Sequence, residues 1–164
     1  MKKIDSIVLS GKESLPLVEG GKGIAVSSGE SSGAWAKAGG VGTFSGVNAD
    51  SYDDNGNLIP QVYKEKTRSK RHRELVDFSV SGAIEQAKIA RDIAGDKSAI
   101  HVNILWEMAA AEEILTRTLE KAGNIIDGVT CGAGMPYKLS EIAAKFGIYY
   151  YPIVSSARAF NALW

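Results

Sequence analysis

A single cysteine, Cys131, leaves this sequence without an internal disulfide and without a thiolate cage for zinc, a scarcity that fits a reducing compartment. The expected location is the cytoplasm. Charge of one sign is lacking too: Lys and Arg number 19, as do Asp and Glu, so no net field draws the chain to nucleic acid, to a membrane or to acidic partners. Any charged ligand has to be held locally. No apolar run approaches the ~20 residues of a bilayer span. The start is basic at Lys2 and Lys3, but Asp5, Lys12 and Glu13 interrupt any apolar stretch, so no secretory leader is expected. Histidine is nearly absent as well. His72 and His101 are the only two, no metal-ligand cluster is visible, and no metal is expected.

What is present is a pattern of apolar strands and amphipathic helices, at a length sufficient for one cored domain of 164 residues. Ile4 to Leu9 is a short apolar lead-in before a polar turn at Gly11 to Ser14. Leu15 to Glu19 reads as a first strand running into Gly20-Gly21-Lys22-Gly23. Ser31 to Ala38 has helical spacing and stops at Gly39-Gly40, and Val41 to Phe44 follows as a second strand. Glu74 to Ala94 is a helix ended by Gly95, Ser98 to Leu105 a third strand, and Glu107 to Ala122 a helix ended by Gly123. Ile125 to Gly134 is a fourth strand with a bare loop, Pro136 to Phe146 a helix capped by Gly147, and Ile148 to Val154 a fifth strand. Ser155 or Ser156 could cap a last helix.

Between Ser45 and Arg73 the composition turns polar and increasingly basic, with a turn signal at Asp54-Asn55-Gly56-Asn57. The segment from about 46 to 73 reads as an inserted loop, longer than the ~12 to 15 residues usual within compact domains. Its basic run from Lys64 to Arg73 has only Tyr63 as an aromatic neighbour, so a solvated face is preferred to a nucleic-acid surface.

Strict alternation of strand and helix implies parallel strands with crossover helices. Two architectures fit: an open doubly wound sheet, and the amino-terminal part of a TIM (β/α)8 barrel, about four and a half βα units. Both place ligands at the carboxyl ends of the strands. Neither Gly21-x-Gly23 nor Gly40-x-Gly42 completes a dinucleotide fingerprint, and no Walker loop occurs. Glycine-rich strand ends remain at Gly20 to Gly23, Gly42 to Gly46 and Gly132 to Gly134. Any one of them reads most simply as a tight turn; three together favour a ligand, which such loops meet with backbone N–H groups. Asn103 interrupts an apolar strand and either faces a ligand or bonds neighbouring backbone. His101 alternates with it and shares its face; a lone strand histidine is more often structural. Cys131 borders the fourth loop, and a buried free thiol is more often a small hydrophobe than a nucleophile.

Taken in order, Pro16 to Gly23, Ala36 to Thr43, Val102 to Leu105 and Gly134-Met135-Pro136 resemble the successive strand motifs of the nitronate monooxygenase (2-nitropropane dioxygenase-like) flavoproteins, over roughly Pro16 to Leu163. The flavin-dependent enoyl reductases share that framework. The resemblance implies one partial flavin-binding barrel domain, with FMN as cofactor and either alkyl nitronate oxidation or electron transfer from NAD(P)H. It implies cofactor contacts at Gly20, Gly21, Lys22, Gly23 and Asn103, and at Thr130 and Gly132 on the substrate side. The family's catalytic histidine corresponds to Gly132, and its phosphate-binding loops belong to later strands. The implied partner is a small-molecule substrate, and open sheet edges invite association with a second copy. Outside enzymology, the same pattern suits a self-contained α/β binding or assembly module with the basic insertion as its partner surface.

Overall fold

The alternation in the sequence is realised as one parallel sheet with its helices packed on one side. The computed structural model describes residues 4–164; Lys2 and Lys3, with the basic start, lie outside the described residues. A hairpin comes first, β1 (Ile7–Leu9) antiparallel to β2 (Lys12–Ser14), so residues 12–14 are strand where a polar turn was predicted. Helix α1 (Gly29–Lys37) begins at Ser28, whose hydroxyl accepts from Ser31 N–H and so satisfies one free donor of the first turn. Strand β3 (Gly42–Ser45) leads through a loop to α2 (Arg68–Ala94), and β4 (Ile100–Leu105) to α3 (Ala111–Ala122). After a 3-10 turn at Gly123–Ile125 come β5 (Gly128–Gly132), α4 (Leu139–Phe146), β6 (Tyr149–Pro152) and α5 (Ala157–Leu163).

The sheet order is β3-β4-β5-β6, every pair parallel. Register places Thr43 beside His101 and Ser45 beside Asn103, then Asn103 beside Thr130 and Thr130 beside Tyr151. Because side chains alternate along a strand, the sheet has two unlike faces. Phe44, Ile100, Val102, Ile104, Val129 and Cys131 make the apolar face and join Val76, Val80 and Ala83 of α2 with Ile114, Leu115 and Leu119 of α3 in one core. Each large aliphatic side chain buried there contributes about 1.5–3 kcal/mol. The other face carries Thr43, Ser45, His101, Asn103, Thr130 and Tyr151.

The amino-terminal end of the sheet is closed by the hairpin. Ser10 Oγ lies 2.6 Å from His101 Nε2 and 2.9 Å from Tyr151 Oη, and the rings of His101 and Tyr151 stack at 4.9 Å. Lys12 reaches Asp127 at 2.7 Å and donates to the Ser98 carbonyl. Asp127 also accepts from Arg91 at 2.7 Å and from the Ile100 N–H, while Arg91 donates to the carbonyls of Gly95, Ser98 and Ile125. One carboxylate thus joins hairpin, long helix and two strands.

Several boundaries differ from those predicted. Leu15 to Glu19 is extended but pairs with the sheet by one parallel bridge, Val18 to Val41, where Val41 N–H donates to the Leu17 carbonyl and Glu19 N–H to the Val41 carbonyl. The Leu17 N–H turns back to the Leu15 carbonyl, and beyond the bridge the Glu19 carboxylate, not backbone, accepts from Thr43 N–H. The insertion ends at Thr67, whose hydroxyl caps α2, so Arg68 to Arg73 are helix and not loop. Residues 107–110 and 136–138 are turns that precede α3 and α4, since the backbone still has to leave the strand ends before a helix can start. The predicted turn near Asp54 is present: Asp53 accepts from the N–H groups of Asn55 and Asn57 beneath a Tyr52–Leu58 bridge.

Candidate functional site

Parallel strands leave their carboxyl-terminal groups pointing to one end of the sheet, and here that end is rimmed by glycine. Asn103, 3% exposed, stands two residues above His101 on the polar face, and its Oδ1 accepts from Thr130 Oγ1 at 3.1 Å. Among the described residues its amide nitrogen donates no hydrogen bond. Gly21 lies directly on this side chain. A Cβ at Gly21 would stand 2.3 Å from Asn103 Cβ and 2.6 Å from its Cγ, so no side chain fits between loop and strand.

The loop that carries Gly21 is held from both sides. Ser27 Oγ accepts from Lys22 N–H and donates to the Gly20 carbonyl, and Ser27 N–H donates to the Lys22 carbonyl. The Ser27 carbonyl accepts from Ser45 N–H at the tip of β3, and Ala25 N–H donates to the Val47 carbonyl. Lys22 and Gly23 are exposed within it, and Lys22 forms no ion pair among the described residues. On the far side, Trp106 N–H donates to the Gly132 carbonyl and Glu107 N–H to the Ala133 carbonyl, which extends the pairing of β4 and β5 past the sheet proper. A Cβ at Gly132 would stop 3.5 Å from Ile153, an ordinary contact, so packing does not require glycine there.

The structure therefore brings Gly21 to Asn103, with Thr130 bonded to it and Gly132 two residues further along the same face of β5; a Cβ at Gly20 would meet nothing within 4 Å, and Gly23 faces Val47. It does not bring Cys131 to them. Cys131 points into the helix layer, is fully buried, and burial pushes its thiol up to about 11; the side chain is part of the core. His101 lies beneath the site in the hairpin lock. Burial pushes it down to about 4 against the opposing pull of Asp127, and its Nδ1 is buried without a partner. It is neutral at physiological pH and holds structure.

Sequence reading missed Ser27, Glu19 and Ser10, each of which fixes a segment by side-chain to backbone or side-chain to side-chain bonds across the fold. Glu19 bonds both Thr43 N–H and Ser31 Oγ. Among the described residues, no three His, Cys, Asp or Glu side chains form a group fit for a metal, and no helix is long and apolar enough to cross a membrane.

A parallel sheet with helices on one side and a polar, glycine-rimmed opposite side is the architecture of part of a (β/α)8 barrel, with the ligand face at its strand ends. Comparison with solved structures agrees. The chain is similar to FabK from Thermotoga maritima, with a TM-score of 0.61 and 19% identity over 90% of this chain and 36% of that one. It spans about a third of that protein's length, and the likeness is one of fold. No family model matches the sequence, and no curated protein matches it.

Proposed function

We propose that this chain is the amino-terminal part of an FMN-dependent oxidoreductase of the nitronate monooxygenase type, acting on alkyl nitronates or as an NAD(P)H-dependent flavin reductase. Two lines of support are independent of each other. The strand motifs resemble those flavoproteins and the flavin-dependent enoyl reductases, and the fold is shared with FabK. The observation that carries the reading is the contact of Gly21, in the Gly20 to Gly23 loop, with Asn103: bare backbone beside an amide whose nitrogen has no protein partner among the described residues and is open to a ligand fits the edge of a flat, hydrogen-bonding ring.

In this reading Gly20, Gly21 and Gly23 offer backbone to the ring, Lys22 offers a positive charge, and Asn103 offers its amide N–H. Thr130 sets the amide orientation by its bond to Oδ1. Gly132 leaves space on the substrate side where the family has its histidine, so proton abstraction by such a base is not part of the proposal. FMN when bound supplies the redox chemistry, while the chain binds and orients it. The free edge of β6, with Tyr149 and Tyr150 exposed, invites either further strands or a second copy.

The test is a fluorescence titration of FMN and of riboflavin with the 164-residue chain. Weak saturable quenching, equal for both flavins and lost in Asn103→Ala, is expected, because the ring-facing segments are present and the family's phosphate loops belong to later strands. No quenching at any concentration, or quenching indifferent to Asn103→Ala, would overturn it. The second reading, a non-catalytic α/β binding module, draws on the placement of Cys131 and His101: neither reaches the strand tips. A colourless, cooperatively melting chain that binds no flavin would favour it.

A further inference from the structure

We propose that the segment from Leu58 to Arg73 is a docking surface for an acidic, amphipathic segment of a partner protein. Six Lys or Arg stand against one Glu between Lys64 and Arg73, in a chain whose charges balance overall. The fold concentrates them. Helix α2 has 27 residues, about 40 Å at the usual rise, whereas the longest strand has six, about 20 Å. Its buried positions begin only at Val76, so the first two turns project past the sheet. Because α2 follows β3, they project at the carboxyl-terminal end, beside the mouth of the strand-end site.

Charge at this projection is only partly compensated. The first turn of α2 has no acidic residue, although the positive end of a helix dipole favours one. Lys70 pairs with Glu65 and Arg73 with Glu113, but among the described residues Lys66 and Arg68 meet no carboxylate and Arg71 donates only to the Glu65 carbonyl. An acidic partner would complement both the side chains and the helix end.

The surface is also apolar, and that decides the class of partner. Tyr63 is the shared wall of two grooves. One, about 490 Å³, is lined by Lys66, Arg68, Arg71 and His72 with Leu75; the other, about 460 Å³, by Pro60, Val62 and Phe78 and by Glu74 and Asp77, whose carboxylates are already engaged by the Lys64 and Glu65 N–H groups and by Arg117. Val62 is 61% exposed and Tyr63 47%, large apolar side chains that a merely solvated charged face does not need. Aliphatic walls with one aromatic suit Leu- or Met-type anchors, whereas a single-stranded nucleic acid needs several stacking rings. A partner helix with carboxylates on one side and aliphatics on the other satisfies both grooves at once.

The test uses the full chain and three probes: a synthetic amphipathic peptide with Glu on one face and Leu and Met on the other, polyglutamate, and a single-stranded oligonucleotide. The peptide is expected to bind best, more weakly as salt rises. Lys66→Glu with Arg68→Glu, and separately Val62→Asp, should each weaken it by at least about tenfold while leaving the melting curve unchanged, since all three side chains are exposed. Amide shifts on titration should cluster at residues 58–73. Tighter binding of the oligonucleotide, polyglutamate binding as well as the peptide, shifts elsewhere, or no peptide binding would each overturn the proposal. It does not depend on flavin, so a negative FMN titration leaves it standing.

Discussion

Replacing Gly21 by alanine tests the contact at the centre of the strand-end site. The added Cβ falls 2.3 Å from Asn103 Cβ and 2.6 Å from Asn103 Cγ, where carbon atoms ordinarily stop at about 3.5–4.0 Å. Asn103 cannot swing aside, because it is buried and bonded to Thr130, so the loop has to lift by more than about 1 Å to restore that spacing. Overpacking of this kind costs about 1–3 kcal/mol. At about 2–4 °C per kcal/mol for a chain of this size, the melting temperature should fall by about 2–12 °C. Gly20→Ala is the matched control: nothing lies within 4 Å of its Cβ, and neither glycine has a positive φ, so a difference between the two variants reports the contact and not the backbone. Thermal melts by circular dichroism give the comparison, and the side-chain amide resonance of Asn103 should shift only in Gly21→Ala. Equal melting of the two variants would refute the packing of loop on strand.

Acid should loosen the hairpin lock. His101 titrates near 4 in the folded chain against 6.5 ordinarily, so on acidification the unfolded chain takes up the proton first. Its contribution is full above pH 6.5 and declines toward pH 4, by about 3 kcal/mol in all; urea titrations across that range should show the slope, and His101→Gln should flatten it. Arg91→Leu leaves Asp127 partly buried with only Lys12 as cation and should cost about 3–5 kcal/mol in chemical denaturation, more than Lys12→Met. Cys131 should resist iodoacetamide at pH 8 in the native chain and react on unfolding, since burial keeps its thiol protonated up to about 11. Gly132→Ala should melt like the parent, its Cβ meeting nothing nearer than 3.5 Å.

Strand and helix order could be read from the sequence because each element buries one stripe or one whole strand, and that burial writes a period into the residues: Ile100 to Leu105 and Ile114 to Leu119 declare themselves locally. Helix stops were legible for the same reason, at Gly95, Gly123 and Gly147, where no side chain has to fit. The candidate site could be proposed from a set of glycine-rich strand ends and one asparagine out of place in an apolar strand. What tertiary structure alone decided is who meets whom. Whether Cys131 faces ligand or core depends on strand register, which its neighbours in sequence cannot fix. That Gly21 rests on Asn103, more than eighty residues away, and that Ser10, His101 and Tyr151 close the opposite end, are contacts between distant segments. They exist only once the strands lie side by side and the spaces between them have a size.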